Sequence, residues 1–213
     1  MRITHYLLFS YVLVVCTGLA PGNNDQNQVK PADATKDLRA ALTGSWSSDC
    51  IKPYSPEQNP VSSTQFKWVY SDGQAIFVYT YFSDPSCTQT WNELKFHYVY
   101  KIGSPSRSVP GTVDIDFKSM KTTARYTTDF GVAGSNQLNM SSPNTECRKA
   151  SYKTNVETDI TACAAKAPGE ATFNIFAIDA KWLWMGACSE DQVHCGKSSA
   201  ARPKSVTGPF VRN

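Results

Sequence analysis

Beyond residue 20 no stretch approaches the 18 or so consecutive apolar side chains that a membrane-crossing helix needs. Histidine is scarce, three in all, and only His97 and His194 lie past that point. No C-x-x-C pair occurs, and His194 beside Cys195 lacks the further ligands that would complete a zinc site. A G-x-S-x-G elbow, a phosphate-cradling glycine loop and a dinucleotide fingerprint are all missing. Charge of one sign is missing too. Against 18 acidic residues stand 21 basic ones, a net +3, and the lysines and arginines are scattered rather than gathered along a phosphate track. The expectation is a chain with no metal, no cofactor, no nucleic-acid partner and no spanning segment.

Catalysis finds little support either. His97 sits among Lys95, Val99 and Lys101, on the opposite side of an alternating run from Phe96 and Tyr98, as an outward sheet residue would. Asp114 and Asp116 could be a carboxylate pair, but they alternate with Val113, Ile115 and Phe117, the pattern of a sheet with one wet face. The chain is read as not an enzyme.

What is present begins with a leader. A short basic start, an apolar run over 6–15 and small residues at Thr17-Gly18-Leu19-Ala20 read as a secretory signal peptide, residues 1–20. Cys16 offers a minority route to lipid anchoring. A polar extension over 21–37 should be flexible, leaving 38–213 as one domain. Within this boundary region Thr35 is expected to cap a short helix reaching Leu42, with Gly44 as its stop. Outside the leader the cysteines number six: Cys50, Cys87, Cys147, Cys163, Cys188 and Cys195. An even count suits disulfides in an extracellular or periplasmic protein. Fifteen pairings are open, and sequential pairing is the simplest because each pair flanks neighbouring elements.

Period-two alternation dominates the rest. Phe66, Trp68 and Tyr70, then Phe77, Tyr79 and Tyr81, then Phe96, Tyr98 and Tyr100 each mark one face of a strand. Strands are expected near 44–51, 64–71, 74–83, 91–102, 111–118, 121–128, 148–161, 171–179 and 181–188, with 129–146 as the longest loop. Ser71-Asp72-Gly73 supplies the first hairpin turn. The fold class expected is all-β: a single antiparallel, disulfide-stabilised barrel behind a short N-terminal helix, a monomer. Ring-bearing inward positions fit an apolar pocket with a few hydroxyls, and Trp68, Phe77, Tyr79, Tyr81, Phe96, Tyr98, Tyr100 and Trp184 are its candidate lining. The other outcome is a barrel filled by its own rings, leaving an extracellular structural or interaction protein that binds a partner through loops and exposed aromatics. Lys181 and Arg202 are candidate cation–π partners of an indole. Asn139-Met140-Ser141 is a glycosylation acceptor.

Gly44-Ser45-Trp46, opening the first strand after a helix, is similar to the G-x-W signature of lipocalins, whose Trp closes the barrel floor; this implies a structural role for Gly44 and Trp46. The longer run Leu42-Thr43-Gly44-Ser45-Trp46-Ser47-Ser48-Asp49-Cys50, followed by Tyr81-Phe82-Ser83-Asp84-Pro85-Ser86-Cys87, resembles the ectodomain module of the adenomatosis polyposis coli down-regulated family of Wnt inhibitors. Leu183-Trp184-Met185-Gly186 and Arg202-Pro203 resemble that family's last strand and tail. The likeness implies a lipocalin-like barrel whose cavity accepts a lipid, or the acyl chain of a lipidated Wnt-type signalling protein. The family carries its module twice with a membrane anchor; this sequence carries the pattern once.

Overall fold

A computed structural model of the chain describes residues 31–52, 63–142, 144–164, 167–188 and 195–213, with side chains from residue 36 onward. The leader with Cys16, the extension as far as Lys30, and His194 lie outside the described residues.

Helix α1 spans Pro31–Leu42, and strand β1, Gly44–Ser47, follows at once. Proline at the first helical position loses no needed donor. The helix thus starts four residues before Thr35, so 31–37 form its first turns rather than a flexible extension. Gly44, at φ 128°, ends it, a backbone conformation that a side chain would oppose.

Strands β2 (Ser63–Ser71), β3 (Gln74–Phe82), β4 (Thr90–Pro105) and β5 (Val113–Tyr126) make an antiparallel meander. The two-residue β6, Thr158–Asp159, pairs only with the far half of β5. Strand β7 (Ala171–Ile178) pairs with the near half of β5, β8 (Trp182–Ala187) with β7, and β9 (Ser205–Arg212) with β8. Pairing of β9 with β1, and of β1 with β2, closes the ring. The result is an eight-stranded antiparallel barrel, β1-β2-β3-β4-β5-β7-β8-β9. Closure leaves no strand edge in the ring and gives every member one inward and one outward face.

Sequential cystines hold it: Cys50–Cys87, Cys147–Cys163 and Cys188–Cys195, with Cα separations of 5.9, 4.8 and 5.7 Å. The first ties the chain just after β1 to the β3–β4 loop.

Four local expectations need correction. Residues 111–118 and 121–128 are one strand, because a bulge lets it continue: His97 pairs with Lys121 and Tyr98 with Ser119, leaving Met120 over. The bulge switches the inward phase from Val113, Ile115 and Phe117 to Thr122, Ala124 and Tyr126, which in sequence looks like an interruption. The stretch 129–146 is mostly helical: α2 is Asp129–Met140 and α3 is Thr145–Lys149. The Thr128 hydroxyl accepts from the Gly131 amide as the α2 cap. Gly131 is needed for close packing, since a Cβ there would lie 3.2 Å from Tyr126. Consequently 148–161 is not a strand beyond β6. Finally β9 went unanticipated because Gly208-Pro209 interrupts it; the pair is absorbed where Leu183 meets Phe210 and Met185 meets Thr207.

Candidate functional site

One end of the barrel is closed by α1. At the closed end Leu38 and Leu42 of α1 join the core cluster that includes Tyr70, Tyr100, Leu183 and Phe210. Trp46 is fully buried there, its Nε1 donating to the Leu42 carbonyl at 2.8 Å. Arg212 stands 5.0 Å over the Trp46 ring, and Arg39 both pairs with Asp72 and lies 5.9 Å from the Tyr100 ring. The cation over the indole is therefore Arg212, neither Lys181 nor Arg202.

Above this floor the inward rings form a continuous wall. Trp68 stands 4.7 Å from Phe77, 5.2 Å from Phe117 and 5.6 Å from Tyr70. Phe66 follows at 4.7 Å from Tyr79, and Tyr79 stacks on Tyr81 at 4.4 Å. Trp68 and Tyr100 are buried, so the lower lumen is filled by its own side chains. Phe77, Tyr79, Tyr81, Phe96 and Tyr98 face inward yet remain half-buried. In a ring paired all the way round, the surface that these inward side chains leave uncovered faces the lumen.

The Tyr81 and Tyr98 hydroxyls stay protonated. Burial pushes Tyr98 up to about 12, and burial, together with the neighbouring Tyr79, pushes Tyr81 up to about 12. Each therefore offers an O–H and a lone pair in apolar surroundings, suited to orienting a mostly hydrophobic guest.

The rim is built by elements the sequence concealed. At the β3–β4 register shift Tyr81 pairs with Asn92 and Phe82 with Thr90, so Trp91 is the extra residue. It turns to within 6.1 Å of Tyr81 and 6.3 Å of Tyr126. Tyr152 packs edge-on against Tyr126 at 4.8 Å, and Val132 of α2 joins this cluster. Burial raises the Tyr126 hydroxyl, partly offset by hydrogen bonds from the Ser135 and Asn92 side chains. Asn92, Trp91 and Tyr126 were not anticipated as lumen residues. Asn92 could have been, because it continues the inward phase of Leu94, Phe96 and Tyr98.

Of the candidate lining, Trp68, Phe77, Tyr79, Tyr81, Phe96, Tyr98 and Tyr100 face inward. Trp184 does not. It alternates with Leu183 and Met185, which lie in the core, so it stands on the outer face with Trp182. The Asp114–Asp116 face is not simply wet. Arg202, on the segment before β9, bridges both carboxylates, donates to the Asn174 carbonyl at 2.6 Å and lies 5.5 Å over Phe173. His97 is outward as expected, near Lys95, Lys121, Glu157 and Asp159. Asn139 lies in α2, its amide donating to the Ala150 carbonyl at 3.3 Å. Among the described residues no group of three His, Cys, Asp or Glu side chains is placed to hold a metal ion, and no helix is long and apolar enough to cross a membrane.

No family model matches the chain, and no curated protein matches it significantly. The function is therefore argued from the barrel itself.

Proposed function

We propose that the protein binds a hydrophobic ligand in the upper lumen of its barrel and acts by carriage or sequestration rather than catalysis. The observation that carries this reading is the row Phe77, Tyr79, Tyr81, Phe96 and Tyr98, inward yet half-exposed. Rings left in contact with water inside a barrel are surface that an apolar guest covers, and each methylene so buried contributes about 0.8 kcal/mol. Three cystines suit an extracellular or periplasmic setting. Titration of the protein with a fluorescent fatty acid, followed through tryptophan emission, should give saturable quenching. A flat titration with folded protein would sink the proposal.

A finer form names the guest as the acyl group of a lipidated, Wnt-type signalling protein. Its support is the resemblance of the Gly44 to Cys50 and Tyr81 to Cys87 motifs to the Wnt-inhibitor module, two motifs that the Cys50–Cys87 cystine joins in space. Capture of such a protein in its acylated form, but not after acyl removal, tests it.

A second reading, protein–protein interaction, rests on α2. Its outer face presents Phe130, 89% exposed, with Leu138 and Met140. Phe130→Ser with Leu138→Ser should weaken partner capture while leaving fatty-acid quenching intact; the reverse result removes this reading.

A further inference from the structure

The upper lumen contains one polar group that its own walls do not satisfy. Asn92 is 7% exposed and shares its face with Tyr81 on β3 and Tyr126 on β5. Its side chain hydrogen-bonds the Tyr126 hydroxyl, while Oδ1 is buried with no partner among the described residues. A buried amide oxygen without a donor is a costly arrangement, and such groups are few in folded proteins. Beside it Leu94 and Ala124 are apolar, and the Tyr126 hydroxyl is already engaged with the amide end of the same side chain.

We infer that Asn92 Oδ1 is the acceptor for the head group of the ligand, and that the ligand is a neutral amphipath carrying a hydroxyl or an amide N–H on a hydrophobic chain. This deepens the lumen-binding reading and rests on it. The chain lies along Phe77, Tyr79 and Phe96, and the head reaches the rim beside Asn92. An ionised carboxylate is disfavoured, because it offers only lone pairs to a carbonyl oxygen and must give up its hydration in an aromatic pocket. An ester head is tolerated but unrewarded, having no hydrogen to donate.

Four ligands of equal chain length separate these cases: oleyl alcohol, oleamide, sodium oleate and methyl oleate, each titrated into the full chain by tryptophan quenching. Oleyl alcohol and oleamide should bind about tenfold more tightly than methyl oleate, the scale expected for satisfying one orphaned buried acceptor. Asn92→Leu should cut that preference to about twofold or less, the difference being one lost hydrogen bond. A cooperative melting transition shows that the variant is folded. If no ligand quenches the wild-type protein, the lumen reading itself fails. If all four bind equally, if oleate or the ester binds best, or if the preference survives Asn92→Leu, the lumen reading stands and the head-group assignment is overturned.

Discussion

The Trp46 indole donates to the Leu42 carbonyl at 2.8 Å, so a tryptophan within β1 caps the helix immediately before that strand. One of the last carbonyls of α1, which a helix leaves unpaired, is thereby satisfied inside the core. Helix and barrel floor are coupled through a single fully buried side chain. Trp46→Ala should destabilise the protein by about 3–5 kcal/mol, the range for emptying an aromatic site. Trp46→Phe keeps most of the volume and loses the hydrogen bond, at about 1 kcal/mol plus a small packing term. Urea unfolding measures both, and amide exchange should show α1 deprotected first in the alanine variant. A cost for Trp46→Ala under about 1 kcal/mol would refute the floor assignment.

Arg202 makes the corresponding clamp on the outside. Its side chain is 7% exposed and holds Asp114 and Asp116 of β5 together with the Asn174 carbonyl of β7. Removing one partner of a buried ionic cluster leaves charge uncompensated, at about 3–5 kcal/mol when burial is complete. Asp114 and Asp116 keep partial solvent contact, which moves the expected cost of Arg202→Met to the low end, about 2–3 kcal/mol. Adding Asp114→Asn to that variant should recover part of the loss, because the orphaned carboxylate is then gone. A double variant weaker by the sum of the single effects would show that the groups do not act as a unit.

Acid should weaken the fold in two steps. Burial comes first among the causes that hold His97 below its ordinary 6.5; Lys121 and Lys95 act in the same direction, and Glu157 and Asp159 oppose them. The folded state thus prefers neutral imidazole, and the unfolded chain binds the proton more readily. The stability this contributes is whole above pH 6.5 and is lost as pH falls through that value toward the lower folded pKa. Glu157 is lowered first by its hydrogen bond from Lys95, and Asp159 first by the Thr161 hydroxyl. Their contributions hold above their ordinary 4.5 and 3.8 and disappear as pH drops below them. Urea midpoints between about pH 5 and about pH 7.5 should fall on acidification in the wild type and flatten in His97→Gln. The step below pH 4.5 should persist in that variant.

The barrel was legible because its strands alternate cleanly. Phe66, Trp68 and Tyr70 oppose Tyr79, Phe77 and Ala75 in the register that their spacing implies. The cystines take the simplest, sequential set among the fifteen pairings that the sequence left open. Legibility failed wherever an extra residue shifts the phase. Met120 makes one long strand read as two, Trp91 turns a strand residue into a rim residue, and Gly208-Pro209 hides a strand altogether. Gly131 and Gly134 likewise made α2 look like a loop. Asn92 and Arg202 depend on contacts across the fold, and no local pattern marks a side chain whose partners lie on other strands.

The five tryptophans distinguish binding inside the barrel from binding on its wall. Trp68 forms the top of the filled lower lumen, within 4.7 Å of Phe77, so a guest descending the lumen must come to rest against it. Trp91 borders the rim. Trp182 and Trp184 face outward, with the sheet between them and the lumen, and Trp46 is sealed beneath the floor. Trp68→Phe, with Trp91 intact, should therefore remove most of the emission change produced by a bound fatty acid. Trp184→Phe should preserve it. The affinity, read independently by displacement of the fluorescent fatty acid, should change by no more than about threefold in either variant, since each substitution retains an aromatic ring. If the response instead disappears with Trp184, the ligand lies on the outer face of β8, and the half-exposed inward rings face water because no ligand enters.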